Sequence, residues 1–207
     1  MAKPGRIGRL SLAAMAVSLL VVMVGPAVGA PAVKGDPAAW AELVAALQKQ
    51  HSISFRGKSA EGGHTTIIEF TPPGSQHVIL HGYPDMITPE RITVGDTVWS
   101  LDPRSHKWNC SDPLKLSPAD LVPQWERKGE VTVTRIPGPV IGGTPTRGYA
   151  WTGALEFEGR ALTMNVKTYV GVQNGLPLRE ETTTPKATST LDYYDYGANI
   201  SIKPPCP

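Results

Sequence analysis

Asp36-Pro37-Ala38-Ala39-Trp40-Ala41-Glu42-Leu43-Val44-Ala45-Ala46-Leu47-Gln48-Lys49-Gln50 is the one stretch that reads as a long helix. Asp36 offers a side-chain cap, and Pro37 fits the first helical position, where its missing N–H costs nothing. Trp40, Leu43, Val44 and Leu47 follow at the i, i+3, i+4, i+7 spacing of an amphipathic helix. The helix is predicted to run to about Gln50 and to bury the Trp40/Leu43/Leu47 stripe.

Nearly everything after it reads as strand. His51–Lys58, Thr65–Thr71, Gln76–Leu80, Arg91–Val94 and Thr97–Leu101 are rich in Ile, Val, Thr and Phe. Gly95-Asp96 and Asn174-Gly175 are hairpin turns by residue type. Lys107–Cys110, Glu130–Ile136, Arg147–Thr152, Leu155–Phe157, Leu162–Val170, Leu178–Thr184, Ser189–Tyr196 and Ile200–Lys203 complete the series. In Glu130–Ile136 the alternation puts Val131, Val133 and Arg135 on one face. Ser117-Pro118-Ala119-Asp120 caps a short helical turn that Pro123 ends. Strands at such intervals, without crossover helices, make an antiparallel meander. A single helix cannot cover both faces of so many strands. The expected class is mainly β (α+β), a curved antiparallel half-barrel with the helix on its concave side.

Upstream of the helix, Lys3, Arg6 and Arg9 precede an apolar run from Leu10 to Val24 and then small residues. That order is a secretory leader, assigned to residues 1–32. Ala30-Pro31-Ala32 and Ala27-Val28-Gly29 fit the cleavage rule. The run of about 15 residues is short of the ~20 that span a bilayer. Residues 33–207 form one domain, periplasmic or secreted, with no stable membrane insertion after cleavage. Neither cysteine follows the leader, so no lipobox is expected. The chain carries 20 Lys and Arg against 18 acidic residues, and removing the leader leaves 17 against 18. A near-neutral mature protein gives no reason to expect nucleic acid as a partner. In an exported chain, Cys110 and Cys206 read most simply as one disulfide.

Chemistry leaves few signals. His77 and His81 lie four apart, which on a strand places their Cα atoms ~13 Å from each other, too far to share a metal. No ligand spacing of the zinc type and no G-x-S-x-G elbow occurs. The carboxylate pairs Glu156/Glu158 and Asp192/Asp195 are expected on solvated faces. Tyr193, Tyr194 and Tyr196 read either as an aromatic binding surface or as amphipathic positions packed at a rim. No catalytic residue, metal or cofactor is expected.

Four stretches share a further pattern. They are Val94-Gly95-Asp96-Thr97-Val98-Trp99, Gly143-Thr144-Pro145-Thr146-Arg147-Gly148-Tyr149, Lys167–Val170 with Asn174–Arg179, and Asp192–Gly197 followed by Ile200-Ser201-Ile202. In this order, behind an amphipathic helix, they resemble the periplasmic LolA-like superfamily of lipoprotein carriers and lipid-carrying envelope lipoproteins. The resemblance spans about residues 36–203. It implies an incomplete antiparallel barrel whose apolar cavity takes acyl chains. The absent lipobox and the cysteine pair depart from the family's pattern. On this reading Trp40, Leu43 and Leu47 act as a lid. Phe55, Ile68, Phe70, Leu80, Val98, Met164 and Val166, on alternating strand positions, line the cavity. The expected partner is a lipid or acylated protein. The alternative is a protein-interaction or envelope-stress sensing module with a filled core and an envelope protein as partner.

Overall fold

In the computed structural model, residues 31–84, 87–116, 130–157, 160–184 and 187–206 are described. Residues 1–30 of the predicted leader, the helical turn at Ser117–Val122 and the side chains of Glu156 and Glu158 lie outside the described residues.

The helix α1 runs Pro37–His51, and the Asp36 carboxylate accepts the Ala39 N–H at 2.9 Å. Its buried positions include Ala39, Trp40, Leu43, Ala46 and Leu47, the stripe that the spacing predicts. Around it are strands β1 (Ala32–Gly35), β2 (Phe55–Glu61), β3 (His64–Thr71), β4 (Ser75–His81), β5 (Glu90–Val94), β6 (Thr97–Ser100) and β7 (Leu114–Lys115). Then come β8 (Glu130–Ile141), β9 (Thr144–Phe157), β10 (Arg160–Gly171), β11 (Pro177–Thr183) and β12 (Thr188–Tyr194). Among the described residues these twelve form one sheet in the order β1-β8-β9-β10-β11-β12-β2-β3-β4-β5-β6-β7. The end strands β1 and β7 do not pair, so the sheet is an open half-barrel with the helix on one face.

The main departures from the expected strands are local. Strand β1, missed in the sequence, pairs parallel with the start of β8. Gly35 ends it with φ +91°, and a Cβ there would stand 2.3 Å from the Val133 carbonyl oxygen, so the approach requires glycine. Because β1 covers only residues 130–133, the rest of β8 pairs on that side with no described strand, and Pro137 and Pro139 there cost no ladder bond. Lys107–Cys110 makes only an isolated bridge, Leu101 to Trp108, and Ile200–Lys203 joins no ladder. His51 ends the helix instead of starting a strand.

Cys110 and Cys206 form a disulfide, with Cα atoms 5.7 Å apart. The tail leaves β12 beside β2, where the Gly197 N–H donates to the Ser54 carbonyl. Cys110 lies just past β6, four strands away, or ~19 Å at ordinary strand spacing. The eight steps from Ala198 to Cys206 reach at most ~28 Å, enough for the tail to cross to Cys110.

Candidate functional site

Cross-strand partners share a face, so the register defines the inner surface. One row runs Arg135–Tyr149–Thr168–Glu180–Leu191–Ser59–Thr66–Leu80 across eight strands. The helix docks at its first end. Tyr149 donates its hydroxyl to Glu42 at 2.8 Å, and Arg135 bonds both Glu42 at 2.8 Å and Asp36 at 2.6 Å. The Tyr149 and Arg135 bonds hold the Glu42 carboxyl below its ordinary range. Burial, with that same carboxylate, pushes the Tyr149 phenol up to about 12.

Two apolar clusters occupy the inner face. In the first, Trp40, Leu43, Ala46 and Leu47 pack on Val131, Val133, Tyr149, Trp151, Met164 and Val166. Trp40 meets Trp151 edge to face with ring centres 6.1 Å apart, and the Trp151 indole N–H donates to the Thr168 hydroxyl at 3.1 Å. The second cluster joins Phe55, Ile68, Phe70, Val78, Leu191 and Tyr193, with Leu80 and Tyr196 partly buried at its margin. Phe55 stacks on Phe70 at 5.0 Å. Only the last turn of the helix reaches this side: His51 lies edge-on to Phe70 at 5.3 Å, and Gln50 donates to the Tyr196 hydroxyl. Desolvation lowers the His51 pKa.

The predicted lining residues are therefore divided. Trp40, Leu43, Leu47, Met164 and Val166 belong to the helix-covered cluster. Phe55, Ile68, Phe70 and Leu80 belong to the other. Val98 is buried on β6 opposite Thr93 and belongs to neither. Of the tyrosines, Tyr193 is buried inward, Tyr194 is exposed and Tyr196 donates its hydroxyl to the Pro177 carbonyl. The outer face carries its own ion pairs. Arg56 bonds Glu69 at 2.9 Å, His77 lies 2.6 Å from Glu90, and Arg179 bonds Asp192 at 2.5 Å. Among the described residues, no group of three or more His, Cys, Asp or Glu could hold a metal. No helix there is long and apolar enough to cross a membrane.

Between the two clusters lies a polar seam that the sequence reading missed. Strand β11 turns Glu180 and Thr182 inward, beside Thr168 on β10 and Ser189 on β12, all buried. Glu180 is 3% exposed and accepts no hydrogen bond from a described residue. Burial alone raises its carboxyl to about 7. A signal existed: Glu180 and Glu181 are adjacent, and a strand must place one on each face. Farther along the inner face, the buried Gln76 amide nitrogen has no hydrogen-bond partner among the described residues.

A one-sided open sheet with a helix on its inner face is a specific architecture, and two solved structures share it. The lipoprotein LppX of Mycobacterium tuberculosis superposes with TM-score 0.53 at 14% identity, over 82% of this chain and 100% of that one. The fold is similar to that of LppX. LprF from Mycobacterium bovis superposes with TM-score 0.51 at 14% identity, over 82% of this chain and 98% of that one. A LolA superfamily protein from Nitrosomonas europaea matches more weakly, with TM-score 0.33 at 12% identity, over 79% of this chain and 94% of that one. The fold expected from the four sequence stretches is met. No family model matches the chain. No curated protein matches it in sequence.

Proposed function

We propose that this chain is an exported, non-enzymatic binding protein that holds an acyl chain, lipid or lipoprotein anchor against the inner face of the half-barrel, as carrier or sensor. One observation carries the reading: the inner face of β12, β2, β3 and β4 bears a contiguous apolar patch apart from the cluster under the helix. The helix packs mainly on β1, β8, β10 and β11 and meets that patch only through its last turn, and Phe55, Ile68, Phe70 and Val78 are themselves buried, so a tail would bind by displacing what covers them. A chain of a dozen methylenes gains ~0.8 kcal/mol for each one buried, enough to bind without a charged contact. The fold shared with the lipoprotein LppX supports the same reading. The Cys110–Cys206 bridge suits an oxidising compartment, in line with the predicted leader. Trp40, Leu43 and Leu47 form the covering stripe, and Phe55, Ile68, Phe70 and Leu80 the surface for the tail.

Native mass spectrometry with lipid extraction, on protein purified from its own envelope, tests this. The expected result is co-purified acyl species. A ligand-free protein would favour the second reading, a protein-interaction module. Its docking points would be the exposed Tyr194 and the edge strand β7, where Leu114 is exposed.

A further inference from the structure

Glu180 is the least expected residue on the inner face. A carboxyl removed from water without a hydrogen-bond partner is costly, and such groups concentrate at functional sites. Its register partners are Thr168 on β10 and Leu191 on β12, and Thr182 follows it inward on the same strand. It therefore sits on β11 between the helix-covered cluster and the second apolar cluster, where a tail lying across the inner face would pass.

We propose that the Glu180 carboxyl is a hydrogen-bond anchor, donating in its neutral form to the carbonyl oxygen of an acyl ester. This deepens the acyl-binding reading above and rests on it. The neutral acid has one O–H to give, and an ester carbonyl accepts without carrying charge into an apolar site.

The anchor makes retention depend on pH. With the carboxyl titrating near 7, it donates in mildly acidic solution and loses its proton in alkaline solution. The titratable groups around it leave this intact. From β12 and its tail come Tyr193 and Tyr196, both with phenols raised by burial and neutral throughout. From β9 comes Tyr149, tied to Glu42 of the helix, which is itself bonded to Arg135 of β8. The helix also brings His51, held against the Leu47 carbonyl, and Lys49, which bonds the Asn174 carbonyl. Inward-facing Val166, Thr168 and Val170 of β10 carry no charge. Arg91 lies on β5, five strands from β11 in the sheet order, in the row of Val78. None of these charges contributes to the shift at Glu180, which comes from desolvation.

The test is a fluorescence titration with a labelled diacylglycerol and a labelled alkane of equal tail length. It uses the mature chain, Glu180→Gln and Glu180→Leu, at pH 5.5 and 8.5. Diacylglycerol should bind the wild type roughly tenfold more tightly at pH 5.5 than at pH 8.5, the worth of one hydrogen bond. Glu180→Gln keeps a donor, so it should bind at both pH values as the wild type does at pH 5.5. Glu180→Leu should lose roughly tenfold for the ester while holding the alkane as well as before. Equal ester affinity in Glu180→Leu and wild type at pH 5.5 would overturn the anchor while leaving the tail-binding reading intact. Failure of the wild type to bind either probe would remove both. Carbon-13 titration of the Glu180 carboxyl in the wild type needs no variant: the ester probe should raise its pKa, and a fall would overturn the proposal.

Discussion

Tyr149, on β9, donates its hydroxyl across to Glu42 of the helix at 2.8 Å, and the same carboxylate takes the Arg135 guanidinium from β8. Two neighbouring strands thus share one helical side chain, which fixes the roll of the helix on the sheet. Tyr149 is 2% exposed and the phenolic bond aims it, so the contact is specific in geometry.

Tyr149→Phe keeps the ring and deletes that bond. The melting temperature should fall by about 2–4 °C, the usual response to one lost hydrogen bond in a domain of this size. The Glu42 carboxyl is held below its ordinary range, so its contribution is present near neutrality and fades as acid protonates it. The gap between wild type and variant should therefore narrow on acidification. A calorimetric scan against pH checks both; a gap that widened in acid would refute the assignment.

Leu43 is fully buried between helix and sheet. Truncation to Leu43→Ala should cost ~2–5 kcal/mol in urea denaturation, because the surrounding strands cannot collapse onto the vacancy. Phe70→Ala, in the other cluster, should cost ~3–5 kcal/mol. The two clusters share no member, so the double variant should lose close to the sum. Strong non-additivity would show that the inner face packs as one unit.

The disulfide closes a sequence separation of 96 residues. Breaking it with Cys110→Ser should cost ~2–5 kcal/mol, since the unfolded chain regains the freedom that the loop removed. On a non-reducing gel the wild type should run ahead of its reduced form. No mobility change, together with two titratable thiols, would exclude the bridge.

Glu180 gives a pH dependence of opposite sign to Glu42. Its folded pKa is raised to about 7, above the ordinary carboxylate value, so the native state holds the proton longer than the unfolded chain. Stability is then highest below about pH 4.5, declines as pH rises, and levels off above about 7. The loss should reach at most about 3 kcal/mol. Urea midpoints at pH 5 and pH 8 check it: Glu180→Gln should be less pH-dependent and more stable than wild type at pH 8. Parallel profiles would place the titration elsewhere.

Local rules were legible in the residues themselves. The cap at Asp36, the helix spacing and the Gly95-Asp96 and Asn174-Gly175 turns depend on neighbours a few positions away. The alternation of Val131, Val133 and Arg135 held as well, with the two valines packed inward and the arginine bonding the helix on that same face. Strand β1 was illegible because four residues ending in Gly35 carry little pattern, and their pairing with β8 spans nearly a hundred positions. Ile200–Lys203 has strand composition, but its run toward Cys206 leaves it outside the ladders.

The lining residues show the same division. Their inward alternation was readable, because a strand's period is two whatever surrounds it. Their separation into two clusters was not, because it depends on where a single helix lies across twelve strands.

What the chain's own order determined, then, was an amphipathic helix, a series of antiparallel strands and a cysteine pair suited to bonding: properties set by neighbouring residues and by composition. Only the tertiary structure decided that β11 lies between the two apolar clusters, and that Glu180 rather than Glu181 faces inward. Which of two adjacent side chains turns inward is fixed by register across the whole sheet, and register comes from long-range pairing that no local pattern encodes.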